Sequence, residues 1–153
     1  MLEHVLPRRI DNTFRGHPVA LWLFVPIVIV KSAIALGTIF NGRNAAQSAD
    51  GIPLDSFGAA GAAAVVALFA IWGLSQLVSS ALGVLALVRY RAMIPLLFVL
   101  FTFEHLARRW IFVVKPIVRT GTSPGLSINL ALLALMIAGL VLSLWPRRVT
   151  EGS

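Results

Sequence analysis

The sequence predicts an all-α integral membrane protein, a four-helix bundle with both termini in the cytoplasm. Three observations predict it. Of the 153 residues, 58% are hydrophobic and only 12% are charged, against about a quarter charged in a soluble domain. The apolar residues gather in four stretches of the length a bilayer requires. Most of the basic residues stand at the ends of those stretches, not among them. Such hydrophobicity excludes a disordered chain, and a chain of this length makes a single domain, 1–153.

The first stretch is Val19–Phe40. Pro18 stands where a missing N–H is harmless, at the first helical position. Pro26 lies inside the stretch and predicts a kink. The run is too long for the 7–15-residue apolar core of a cleaved signal and contains Lys31, although the small residues Ala45–Ala49 follow it. The second stretch covers 60–88, which at ~1.5 Å per residue is ~43 Å, so it tilts or projects beyond the hydrocarbon. Its Ala/Gly-rich start marks close helix packing. Within it Ser75, Ser79 and Gly83 recur every four residues, a stripe of small residues that lets backbones approach. That stripe serves either packing within the bundle or a homodimer face.

The third stretch, 92–114, has Pro95 in its first turn and is clean only to Phe103. Glu104, His105, Arg108 and Arg109 follow before apolar residues resume at Trp110. It reads as a full span that carries these charges. The alternative is a half-buried helix, three crossings and an outside C-terminus. Arg147 and Arg148 after Trp145 favour four crossings. The fourth stretch, 126–145, is opened by Thr122 or Ser123 before Pro124 and stopped by Pro146.

Charge sets the orientation. The N-terminal segment, the 89–91 turn and the C-terminal tail hold Arg8, Arg9, Arg15, Arg89, Arg91, Arg147 and Arg148. The other two connections hold only Arg43, Lys115 and Arg119. The excess marks the cytoplasmic side, so the loops around 41–59 and 115–125 face outward. Trp22 and Trp145 then suit an inner aromatic belt and Trp110 an outer one. The net charge of +7 thus speaks for anionic lipids at the cytoplasmic face rather than for nucleic acid, whose binders gather charge on one soluble face.

The residues that do not belong in hydrocarbon are the informative ones. Intramembrane ionisable groups are costly and face the bundle interior, paired. Lys31, Gln76 and Glu104 each lie twelve residues from the inner end of their stretch, hence at ~18 Å depth. Arg108 and Asn129 are each sixteen residues in, at ~24 Å. These positions predict one polar layer just outward of the midplane. Lys31 is the expected partner of Glu104 across helices, with Arg108 the competing one at i+4. His105 and Arg109 form a neighbouring i, i+4 pair. Arg109 and Lys115 are expected to snorkel outward or to meet Asp50 and Asp55. The layer either satisfies charges and fixes helix register, or forms a site for protons, an anionic ligand or a redox group.

Some motifs fail. Gly121–Gly125 spells G-x-S-x-G, but the N–H that would serve an oxyanion hole belongs to Pro124, which has none. His105 is alone at its depth, which argues against a bis-histidine haem in one chain, and no cluster resembles a metal site. No nucleophile–base pair stands out. No catalytic residue, metal or cofactor is therefore expected. The chain has no cysteine.

Gly37, Phe40 and Gly42 close the first stretch, and Gly83–Arg89 is a glycine-containing helix end before a short turn. With four short spans, these features resemble the DoxX-like group of small membrane proteins. Lys31 has no counterpart in that pattern. The resemblance implies a bacterial inner-membrane protein associated with redox or quinone partners, and it transfers no catalytic residue. The expected function is a non-enzymatic membrane subunit or scaffold in the plasma membrane, its partners the bilayer and a second copy or another membrane protein. The alternative is a small transporter or ligand-binding protein, for a quinone among others, that uses Lys31, Glu104, His105 and Arg108. An enzyme acting on a lipid or quinone has the least support.

Overall fold

A computed structural model describes residues 5, 7, 10–120 and 124–145. Four long helices carry the fold: α1 (Pro18–Phe40), α2 (Ala59–Arg89), α3 (Ile94–Val114) and α4 (Pro124–Leu144). No strand occurs among the described residues. Helices α1, α2 and the Gly125–Leu144 part of α4 are long and apolar enough to cross a membrane. In its most apolar window α2 buries only 17% of its residues, and side chains such as Leu68 and Ile71 stand more than half exposed. Apolar surface on this scale marks contact with lipid or protein rather than water. The boundaries lie within two residues of those expected. Pro146 and the pair Thr122 and Ser123 lie outside the described residues, as do Arg8, Arg9, Arg147 and Arg148.

The helices alternate in direction between two ends. At one end the His17 N–H donates to Leu142 O at 3.0 Å, joining the start of α1 to the finish of α4, and the Ala92 N–H donates to Asp11 O at 3.3 Å, joining the start of α3 to the segment before α1. His17 also caps α1, its Nδ1 accepting from the Val19 N–H at 3.3 Å. α1 continues through Pro26 to Phe40 without interruption. At the other end, residues 41–58 fold into a cap of short helical turns with a small core of Ala46, Leu54 and Ala62. Gly51 adopts φ 70°, a conformation open to glycine at little cost, and its carbonyl accepts the Thr120 N–H at 2.8 Å. That bond draws the segment after α3 onto the cap.

Packing is uneven. α1 lies against α2 along most of its length and also against α4, and α3 packs chiefly on α4. α2 and α3 share few direct contacts. The main core lies toward the 90–93 turn, where Phe24 meets Phe98 edge to face at 4.9 Å and stacks on Phe101 at 5.8 Å. On α3 the buried face runs Ile94, Leu97, Phe98, Phe101, Thr102 and stops at His105. Beyond it the helix leaves the core.

The face of α2 that packs is not the expected stripe. Gly73, Gln76, Ser80, Gly83 and Ala86 are buried, whereas Ser75 is exposed and Ser79 half-buried. The Ser75 hydroxyl donates to Ile71 O and that of Ser79 to Ser75 O. A serine that closes its hydroxyl on its own helix can face an apolar medium without an orphaned donor. Gly83 alone of the three expected residues packs tightly, against Val28. Among the residues of the DoxX-like resemblance, Gly42 lies against Val66, Gly37 has open space around it and Phe40 is 82% exposed.

A β-carbon at Gly73 would lie 3.0 Å from Ala35 O on α1. Gly73→Val is therefore expected to push α1 and α2 apart and to lower stability by about 1–3 kcal/mol. Thermal unfolding in detergent checks this, with Ser75→Val on the exposed face expected to leave the midpoint unchanged.

Candidate functional site

Between the apolar core and the cap lie the polar side chains, and they divide into two groups. The first is a closed hydrogen-bonded triangle joining three helices. Lys31 Nζ on α1 donates to Gln76 Oε1 on α2 at 2.6 Å and to Glu104 Oε2 on α3 at 3.2 Å. Gln76 Nε2 donates to Glu104 Oε1. The Lys31 ammonium also sits 4.8 Å from the centroid of the Phe101 ring, a further attraction for a desolvated cation. Lys31 is 6% exposed and Gln76 8%, while the Glu104 side chain is 33% exposed, so a buried ammonium is neutralised by a carboxylate that keeps partial access to its surroundings. One turn nearer the core, the buried hydroxyls of Ser80 and Thr102 have no hydrogen-bond partner among the described residues.

The second group surrounds Arg108. Its Nη2 donates to Asn129 Oδ1 on α4 at 3.1 Å and lies 3.3 Å from His105 Nδ1. Its guanidinium carbon is 5.0 Å from the centroid of Trp72 on α2. Arg108 therefore does not compete with Lys31 for Glu104. It lies toward α4, where Asn129 accepts from it and the Trp72 face receives the planar guanidinium. His105 meets Arg108 at i+3 rather than the expected Arg109 at i+4. Asp55 is taken by Arg43 at 2.8 Å and by Gln47 at 2.9 Å, out on the cap surface.

Above Arg108 lies a cavity of about 460 Å³. It lies between α2 and α3, which share few direct contacts, beyond the last buried residue of α3. Leu68, Phe69 and Trp72 form one wall, Phe112 and Val113 the other. Arg108, Arg109 and Arg119 supply its charge, with His105 and Asn129 at the floor and Asp50 at the rim. Arg119 is held over the Phe112 ring at 5.1 Å. Among the described residues none of these three arginines forms an ion pair. Among the described residues the only carboxylate in the lining is Asp50. Burial pushes its carboxyl above the ordinary carboxylate range, while Arg119 and Arg108 pull it back down. A smaller space of about 90 Å³ continues beneath the cap past Thr38 and Ile128.

Of the residues expected in one layer, the structure thus brings Lys31, Gln76 and Glu104 together, and separately His105, Arg108, Arg109 and Asn129. The apolar–cationic cavity itself was not expected. Its only trace in the sequence is three arginines, Arg108, Arg109 and Arg119, flanking an aromatic stretch. Among the described residues no three His, Asp or Glu side chains gather to hold a metal. Comparison with protein-family models, with curated proteins and with solved structures gives no match.

The raised Asp50 carboxyl has a definite sign. A carboxyl whose folded value exceeds its ordinary 3.8 favours the folded state when protonated, so its contribution is lost as pH rises through the folded value. Asp50→Asn is expected to be more stable than the wild type near neutrality and to match it at acid pH. Thermal midpoints of the two chains between about pH 3.5 and 7 check this.

Proposed function

We propose that the chain is a multi-pass protein of the bacterial inner membrane, a single domain of four spans with both termini cytoplasmic. On this reading it binds a small amphiphile in the cavity between α2 and α3 and carries out no covalent chemistry. The observation that carries the reading is a preformed cavity of about 460 Å³ with apolar walls and a cationic floor, within the size range of small-molecule sites.

Four spans are supported by the direction and length of α3. Its 21 residues equal those of α4, and at ~1.5 Å each they reach ~31 Å. Its charged side chains turn to partners or into the cavity: Glu104 is bonded to Lys31 and Gln76, and Arg108 lies between Trp72 and Asn129. Arg15, Arg89 and Arg91 stand at the end opposite the cap, which supports a cytoplasmic 90–93 turn. The cavity then opens toward the outer leaflet. The DoxX-like resemblance points to the same compartment. A purely scaffolding role draws support from the paired triangle, and the two readings divide the polar layer between them: triangle for structure, cavity for binding.

The cysteine-free chain allows a direct test with single cysteines and a membrane-impermeant thiol reagent on intact cells. Arg43→Cys on the cap and Asn129→Cys on the cavity floor are expected to be modified from outside, and Tyr90→Cys only after the membrane is opened. Modification of Tyr90→Cys from outside would overturn the orientation. An inert Asn129→Cys beside a reactive Arg43→Cys would overturn the open cavity.

A further inference from the structure

We infer that the cavity holds the phosphate head of a lipid phosphomonoester, its apolar tail leaving between α2 and α3. The inference rests on reading the cavity as a ligand site. Three lines of physical evidence converge on it.

The first is uncompensated charge. Among the described residues, Arg108, Arg109 and Arg119 share the lining with the single carboxylate of Asp50, leaving an excess of two positive charges. Glu104 cannot offset them, since Lys31 already neutralises it at 3.2 Å. A phosphomonoester carries a charge of about −1.5 to −2 near neutral pH, which matches that excess. A carboxylate, with a single charge, leaves part of it unbalanced.

The second is the geometry of the donors. Among the described residues, Arg108 uses only Nη2 in hydrogen bonds, to Asn129 and toward His105. A guanidinium has five N–H donors in a planar fork suited to phosphate, so most of the fork is uncommitted. Trp72 beneath it at 5.0 Å and Phe112 beneath Arg119 at 5.1 Å hold both groups in place before any ligand arrives. Preorganised donors bind more tightly than ones that must be ordered on binding.

The third is the wall. Leu68, Phe112 and Val113 line the cavity yet are 64%, 39% and 69% exposed. They form a continuous apolar path from the arginines to the outside of the helices. A free inorganic anion would have no use for that path, and an uncharged lipid none for the arginines.

The test is native mass spectrometry of the full chain in a neutral detergent, titrated separately with phosphatidic acid, phosphatidylcholine, oleate and inorganic phosphate. Phosphatidic acid is expected to be retained as a single bound molecule. Phosphatidylcholine, oleate and inorganic phosphate should each bind at least about tenfold more weakly, since each lacks the charge or the tail. Arg108→Gln and Arg119→Gln should each weaken phosphatidic acid about tenfold or more. Asp50→Asn should tighten it. Arg43→Gln, at the same end but outside the cavity, should change nothing. Arg108→Lys covers the case in which Arg108→Gln does not fold, and is expected to keep the charge yet lose much of the binding with the fork. Saturation by inorganic phosphate at equal affinity would overturn the lipid assignment, and equal binding of oleate would overturn the phosphate head. If phosphatidylcholine binds as well as phosphatidic acid and Val113→Trp blocks both, the cavity stands as a ligand site and the head-group inference falls. If no lipid binds in a way that Val113→Trp blocks, both readings fall.

Discussion

A single carboxylate, Glu104, decides how the charged half of this protein is arranged. It accepts hydrogen bonds from Lys31 and Gln76, and those two bond to each other. Each of the three residues comes from a different helix. Because α2 and α3 have few direct contacts, the Gln76–Glu104 bond is a principal tie between them. An ammonium that is 6% exposed is tolerable only when paired and fully hydrogen-bonded. The triangle meets that condition with an amide whose donor and acceptor ends each find the right partner. Directional bonds of this kind also fix rotation, since turning any helix by one residue would part them.

What the triangle consumes, the neighbouring site lacks. With the charge of Glu104 balanced by Lys31, Arg108 lies against Trp72 and Asn129, where its charge stays in place without a counter-ion among the described residues. The cavity between α2 and α3 beyond His105 makes that unmatched charge part of its lining. The cap contributes as well: the Gly51–Thr120 bond draws the chain after α3 inward, and Arg119 with it. Rigid pairing at mid-height and an open cationic space above it are therefore two results of one distribution of charge.

The long helices were legible in the sequence because about 20 consecutive apolar residues have few alternatives to a helix of membrane length. Depth was legible too. Counting residues inward put Lys31, Gln76 and Glu104 at one level, and they meet. Rotation about the helix axis was harder to read. On α2, small side chains pointed to Ser75 and Ser79, whereas the packed face includes the larger Gln76 together with Gly73 and Ser80. A serine bonded to its own backbone and a serine in an interface look alike in a sequence. Arg108 at i+4 from Glu104 looked like a partner as well, and only the placement of Trp72 and Asn129 shows why it turns elsewhere. The cap was least legible, because the Gly51–Thr120 bond spans 69 residues and leaves no local pattern.

A double-mutant cycle in detergent measures directly whether the triangle acts as a paired unit. Glu104→Gln leaves the buried Lys31 ammonium without its counter-charge and is expected to lower unfolding stability by on the order of 3 kcal/mol, whereas Lys31→Met leaves Glu104, whose side chain is 33% exposed, and is expected to cost less. The double variant should recover most of that loss, because neither charge then remains. Single variants as stable as the wild type, or losses that simply add in the double, would contradict the claim that this pair holds the three helices in register.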